Sequence, residues 1–115
     1  MRVVEEPLAG GIVCVMADGR LDAATVPMLE KALQRLLDDA QFRLVVDLNA
    51  VSYISSSGLR ALLTARRQAR VRGGDVHLCQ LSSRVRDILE MVGFLAVFGV
   101  YDTREQAALA FPQRA

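Results

Sequence analysis

Three short apolar runs govern what this chain can fold into: Ile12–Ala17 (IVCVMA), Arg43–Leu48 (RLVVDL) and Val76–Leu81 (VHLCQL). Their β-branched content and shortness make each of them an expected buried strand. Turn formers punctuate them. Gly10-Gly11 and Asp18-Gly19 flank the first run, Gly19–Asp22 reads as a turn or loop, and Asn49–Ser52 is expected to break the second.

Between the runs the apolar period changes from strand-like to helical. Leu29, Leu33, Leu36, Leu37 and Ala40 recur at i, i+4, i+7, i+8 and i+11, one face of an amphipathic helix. Thr25 is its expected cap, and Pro27 is tolerated in a first turn. Ser55-Ser56-Ser57-Gly58 opens a second helix to about Arg72, and Gly73-Gly74 ends it. Ser82 and Ser83 can cap a third, with Val85, Ile88, Leu89 and Val92 on one face and Gly93 at its end. Val97–Tyr101 is expected as a short strand. Thr103 with Gln106 fits a capping box that opens a last helix through Phe111. Strands alternating with helices give an α/β fold with a mixed or parallel sheet. A chain of 115 residues suits a single core and hence one domain over 1–115, with Pro112–Ala115 fraying.

Most reactive chemistry is excluded by what the chain lacks. No glycine-rich phosphate loop is present: Gly10-Gly11 has no following Lys-Ser/Thr, and no G-x-G-x-x-G occurs. His77, the single histidine, alternates within a strand run and reads as structural. A receiver domain needs an acidic pair after its first strand and a late lysine. Here Asp18 and Asp22 follow that strand, and the sole lysine is Lys31. Cys14 and Cys79 sit in apolar segments and are expected as buried free thiols, since two cysteines make neither a disulfide framework nor a metal box. No catalysis, metal or cofactor is therefore expected. A net charge of +1 implies no nucleic-acid partner. Met1–Gly10 lacks a signal-peptide core, and Ile88–Val100 is too short and too interrupted to span a bilayer, so a cytoplasmic location without membrane insertion is expected.

Three adjacent serines at one strand-to-helix junction invite two readings. Serine is a preferred N-cap, worth about 1 kcal/mol. A helix start also presents free N–H groups and a positive dipole end, so a phosphate added there would leave the fold intact and act on a docked partner. Along the helix that follows, a wheel puts Ala61, Leu62, Ala65 and Ala69 on the core stripe. Leu59, Arg60, Leu63, Arg67 and Arg70 gather on the other side. That side suits either an interface or a solvated face carrying stray leucines.

The stretch LVVDLNAVSYISSSGLRALL (Leu44–Leu63) resembles the STAS family, and specifically its anti-sigma factor antagonists. The matching features are Asp47-Leu48 at a strand end, Tyr53-Ile54 in the following loop, and Ser55-Ser56-Ser57-Gly58-Leu59 at a helix start. Gly19-Arg20-Leu21-Asp22 matches the family's G-x-L-D after its second strand. Ser83–Glu90, Gly93-Phe94 and Val100-Tyr101-Asp102-Thr103 look like its C-terminal half. The resemblance covers essentially the whole chain.

It implies a four- or five-stranded mixed sheet with about four helices, mainly on one face. It also implies a role. Such antagonists bind a cytoplasmic anti-sigma factor, usually a serine kinase, and so free a sigma factor. The kinase phosphorylates the antagonist, which lets go, and a phosphatase resets it. The implied phosphorylation site is Ser56, with Ser55 and Ser57 as alternatives. The implied partner-binding residues are Asp22, Ser55, Ser56, Ser57, Gly58, Leu59, Arg60, Leu63 and Arg67. Many phosphorylated members carry Asp before the modified serine, where this chain has the uncharged Ser55. A monomer or weak dimer is expected. The second reading is a non-enzymatic STAS adaptor subunit of a transporter ATPase or a larger signalling assembly.

Overall fold

The computed structural model describes residues 1–113. In chain order the elements are β1 (Val3–Leu8), β2 (Ile12–Leu21), α1 (Val26–Asp38), β3 (Arg43–Ile54), α2 (Ser56–Val71), β4 (Asp75–Cys79), α3 (Ser83–Met91), a 3-10 turn (Phe94–Ala96), β5 (Val100–Tyr101) and α4 (Arg104–Leu109). The five strands form one mixed sheet in the order β1-β2-β3-β4-β5. β1 pairs with β2 antiparallel, and every other pairing is parallel. The α/β architecture that the resemblance implies, a five-stranded mixed sheet with four helices, is therefore present.

Side chains alternate across the sheet, and the register sorts them into two cores. Val15, Val46 and Leu78 lie in one row and face α1, α2 and α3. Leu29, Leu33, Leu36 and Leu37 of α1 and Leu62, Ala65 and Ala69 of α2 close this core. Each fully buried leucine there contributes roughly 1.5–3 kcal/mol. Cys14, Val45 and Cys79 point the other way and are covered by Ala107 and Phe111. Three helices thus lie on one face, while α4 lies on the other.

Several expectations change. β1 was not among the strands read from the sequence, because Glu5, Glu6 and Pro7 mask its pattern. Proline and charge belong on an edge strand, where they also discourage pairing with other chains. Gly19–Leu21 continues β2 instead of forming a loop, and Asn49–Ser52 does not break β3, which runs on to Ile54. Two register shifts, between Met16 and Asp18 and between Gly19 and Arg20, let the paired strands extend past their apolar runs. Ala40 does not belong to the α1 face. The helix ends at Asp38, and Ala40 is exposed in the left-handed region, φ 59.

The third run is a strand only to Cys79, since Gln80 takes φ 58 and leaves the ladder. Of Val97–Tyr101 only Val100–Tyr101 is strand, and α4 stops at Leu109 rather than Phe111. Thr103 caps α4 by accepting from the Gln106 N–H at 3.0 Å, while the Gln106 side chain accepts from Asp102 N–H at 3.2 Å instead of from Thr103. The fraying expected for Pro112–Ala115 falls, at its last two positions, outside the described residues.

Candidate functional site

In parallel α/β sheets, ligands and partners meet the carboxyl ends of the strands. Here that end gathers the termini of β2 and β3 and the starts of α1 and α2. Leu21 pairs with Ile54, and the Ser55 N–H donates to the Leu21 carbonyl at 2.8 Å. This bond puts Asp22 directly beside the serine loop. Thr25, the expected cap of α1, has no capping bond of its own. Asp22 holds that turn instead: Oδ1 accepts from Ala24 N–H at 3.1 Å and from Thr25 N–H at 3.2 Å. Thr25 Oγ1 in turn accepts from Asp22 N–H and donates to the Arg20 carbonyl. Asp22 is therefore structural as well as close to the serines.

The three serines are not equivalent. Ser55 is the N-cap of α2, and its hydroxyl accepts from Gly58 N–H at 3.3 Å. Ser57 Oγ is tied to Ser55 Oγ at 2.9 Å. Ser56 occupies the first helical position and is exposed. Its hydroxyl makes no hydrogen bond among the described residues. Gly58 is buried for a steric reason: a Cβ there would sit 2.8 Å from Ile54 Cγ1 and 3.4 Å from Leu21 Cβ. The first turn of α2 is thus pressed onto the ends of β2 and β3.

That pressure corrects the wheel. Leu59, expected on the outer side, is only 7% exposed and belongs to the main core. A wheel treats every turn alike, whereas the first turn of α2 is buried over a wider arc than later ones. Neither Gly58 nor Leu59 presents a surface to a partner. Arg60 is exposed and Leu63 half-buried, within about two turns of Ser56. Arg67 is also exposed but lies roughly 16 Å along the helix from Ser56. It lines a separate groove with Phe42, Val71 and Arg72. Arg70 is paired with Asp75 at 3.1 Å, so it is not a free docking charge.

Sequence reasoning placed Tyr53 in a loop, whereas it lies in β3, and missed the two arginines stacked on it. Arg20 is the cross-strand partner of Tyr53, and its guanidinium carbon lies 4.4 Å from the ring centroid. Arg84, in the first turn of α3, reaches the same ring at 5.6 Å. The register shift within β2 produced that pairing, so only the alternation of a strand extended past Gly19 could have signalled it.

The back face carries the buried polar groups. Asp47, 4% exposed, accepts from Arg104 Nη2 at 3.1 Å, Gln80 Nε2 at 3.1 Å and Asn49 N–H at 2.9 Å. Arg104 also reaches Glu6 at 2.6 Å. The hydrogen bond to Asp47 raises the Arg104 pKa further, outweighing partial burial. His77 is buried, with Nδ1 donating to the Ala107 carbonyl at 2.8 Å, since a carbonyl only accepts, and its ring stacks on Phe111 at 3.8 Å. Burial pushes the thiols of Cys14 and Cys79 up to about 11 and about 12. Low thiolate content makes both inert. Among the described residues, no group of three His, Cys, Asp or Glu side chains could hold a metal ion, and no helix is long and apolar enough to cross a membrane.

Comparison with known proteins agrees with this architecture. The chain is 39% identical over 101 residues to BtrV of Bordetella bronchiseptica, whose name marks it as a proposed anti-sigma factor antagonist; the match covers 88% of this chain and 87% of that one. An anti-sigma F factor antagonist of Paenibacillus polymyxa is 26% identical, with 84% of each chain covered. The crystal structure of an anti-sigma factor antagonist from Mycobacterium paratuberculosis superposes with a TM-score of 0.85 at 27% identity, covering 95% of this chain and 92% of that one. Residues 4–107 match the STAS domain, and the chain belongs to the STAS family.

Proposed function

We propose that this protein is an anti-sigma factor antagonist that binds a cytoplasmic anti-sigma factor with serine kinase activity, frees a sigma factor, and is switched off by phosphorylation of Ser56. The observation that carries this reading is the inequality of the three serines. Ser55 and Ser57 spend their hydroxyls on each other and on the α2 cap, while Ser56 is exposed and uncommitted. The names of the similar proteins support the antagonist part of this reading.

The chemistry of the switch follows from where Ser56 sits. A phosphate at the first position of α2 meets the positive end of the helix dipole, so the domain stays folded. Its charge of roughly −1.5 to −2 is felt by the docked partner, where desolvation and any facing carboxylate oppose it. Arg60, Leu63 and the charge of Asp22 complete the contact surface, and Arg67 extends it. The protein binds and releases; a separate phosphatase resets it.

Phosphosite mapping by mass spectrometry, after incubation with the anti-sigma factor and ATP, tests this. Ser56 should carry the phosphate, Ser56→Ala should bind persistently, and Ser56→Asp should weaken binding only in part. Phosphate on Ser55 or Ser57 alone would overturn the residue assignment. Tight binding with no phosphate anywhere would point to a constitutive antagonist. A chain recovered only with a transporter ATPase or a larger signalling assembly would be a STAS adaptor instead.

A further inference from the structure

We propose that Arg20, Tyr53 and Arg84 form a preordered landing platform for an acidic segment of the protein partner, a proposal that rests on the function given above. The three residues come from separate elements. Tyr53 lies near the end of β3, Arg20 on neighbouring β2, and Arg84 on the helix that follows β4. Both arginines are exposed, and both place their guanidinium over one half-buried ring, at 4.4 and 5.6 Å. Stacking on an aromatic face orders a long side chain while leaving its N–H groups free for carboxylates. The ordering entropy is thus spent before the partner arrives.

The charges around the platform define its occupant. Neither Arg20 nor Arg84 forms an ion pair among the described residues, although Arg35, Arg66, Arg70 and Arg104 all do. The nearest candidates in sequence are Asp18, Asp22 and Asp87, and Asp18 has Oδ1 committed to the Arg2 N–H at 2.7 Å. Asp22 has Oδ1 committed to the α1 turn, and exposed Asp87 lies on α3 without an arginine partner. Two like charges on one ring with no intervening carboxylate favour an anion between or above them. Tyr53 is three residues from Ser56, at most about 11 Å of chain. A single standard interface of roughly 800 Å² per partner spans both. A phosphate on Ser56 would then arrive beside the same arginines and compete for them with the partner's carboxylates.

Two measurements on the full chain decide the matter. In the first, a decaglutamate peptide is titrated into ¹⁵N-labelled protein. Shifts centred on Arg20, Tyr53 and Arg84 uphold the platform; shifts spread over Arg2 and Arg72, or stronger displacement by oligothymidylate than by peptide, overturn it. In the second, association with the purified anti-sigma factor is followed against salt. Arg20→Gln and Arg84→Gln should each lower the association rate about three- to fivefold at low ionic strength and flatten its salt dependence, with Arg72→Gln behaving as wild type. If the anti-sigma factor binds and all three variants match wild type, the platform is refuted and the function stands. If the peptide maps to the platform but the anti-sigma factor does not bind the unmodified chain, the function is refuted and the platform stands.

Discussion

Replacing Arg104 by methionine should destabilise the domain by about 3 kcal/mol while leaving the serine end unchanged. The carboxylate of Asp47 is 4% exposed and would keep only two of its three donors, Gln80 Nε2 and Asn49 N–H. Breaking a buried pair by removing one partner typically costs about 3–5 kcal/mol. The lower end applies here, because the Arg104 side chain is 24% exposed and water can reach the vacated place. Loss of the Glu6 contact adds little, since that carboxylate is half exposed. With an unfolding entropy of about 2.1 cal/mol/K per residue, a loss of that size lowers Tm by roughly 12 °C for a chain of this length. Thermal and denaturant unfolding measure it. Asp47→Leu combined with Arg104→Met should recover most of the loss, because no uncompensated charge remains. Hydrogen exchange should show α4 losing protection before α2. A single-variant effect below about 1 kcal/mol, or strict additivity in the double variant, would refute this account of Asp47.

Leu59→Glu should unfold the domain, by burying a charge in the main core, whereas Leu63→Glu should leave it folded and weaken partner binding; circular dichroism melts with a binding titration separate the two. Asp22→Ala should cost about 1 kcal/mol by losing the acceptor for Ala24 and Thr25, while Asp22→Asn keeps that acceptor and the Tm but reduces partner affinity. Stability should fall as pH rises above about 8.5, where an unfolded thiol ionises, because Cys14 and Cys79 hold their protons to about 11 and about 12 in the fold. The unfolded state binds fewer protons across that window, so the slope is negative, and Cys14→Ala with Cys79→Ala should flatten it in alkaline melts.

The elements that carry their own pattern were legible in the sequence. The leucines of α1, the β-branched runs inside β2, β3 and β4, and the hydroxyl residues that open α2, α3 and α4 all rest on interactions a few residues apart. The serine cluster was legible too, as a motif at a helix start. Which serine is free was not, because the Ser55–Ser57 bond depends on the backbone that positions both hydroxyls. Tertiary structure alone decided the rest. β1 is a strand because β2 pairs with it, in spite of Glu5, Glu6 and Pro7. Leu59 is core because Gly58 lets α2 close on Ile54 and Leu21, a contact no helical wheel contains. The Asp47–Arg104 pair joins residues 57 apart, and Arg20 meets Tyr53 only after a shift in strand register. Local periodicity reports which face of an element is apolar; the depth of its burial and the identity of its charged neighbours are set by the elements packed against it.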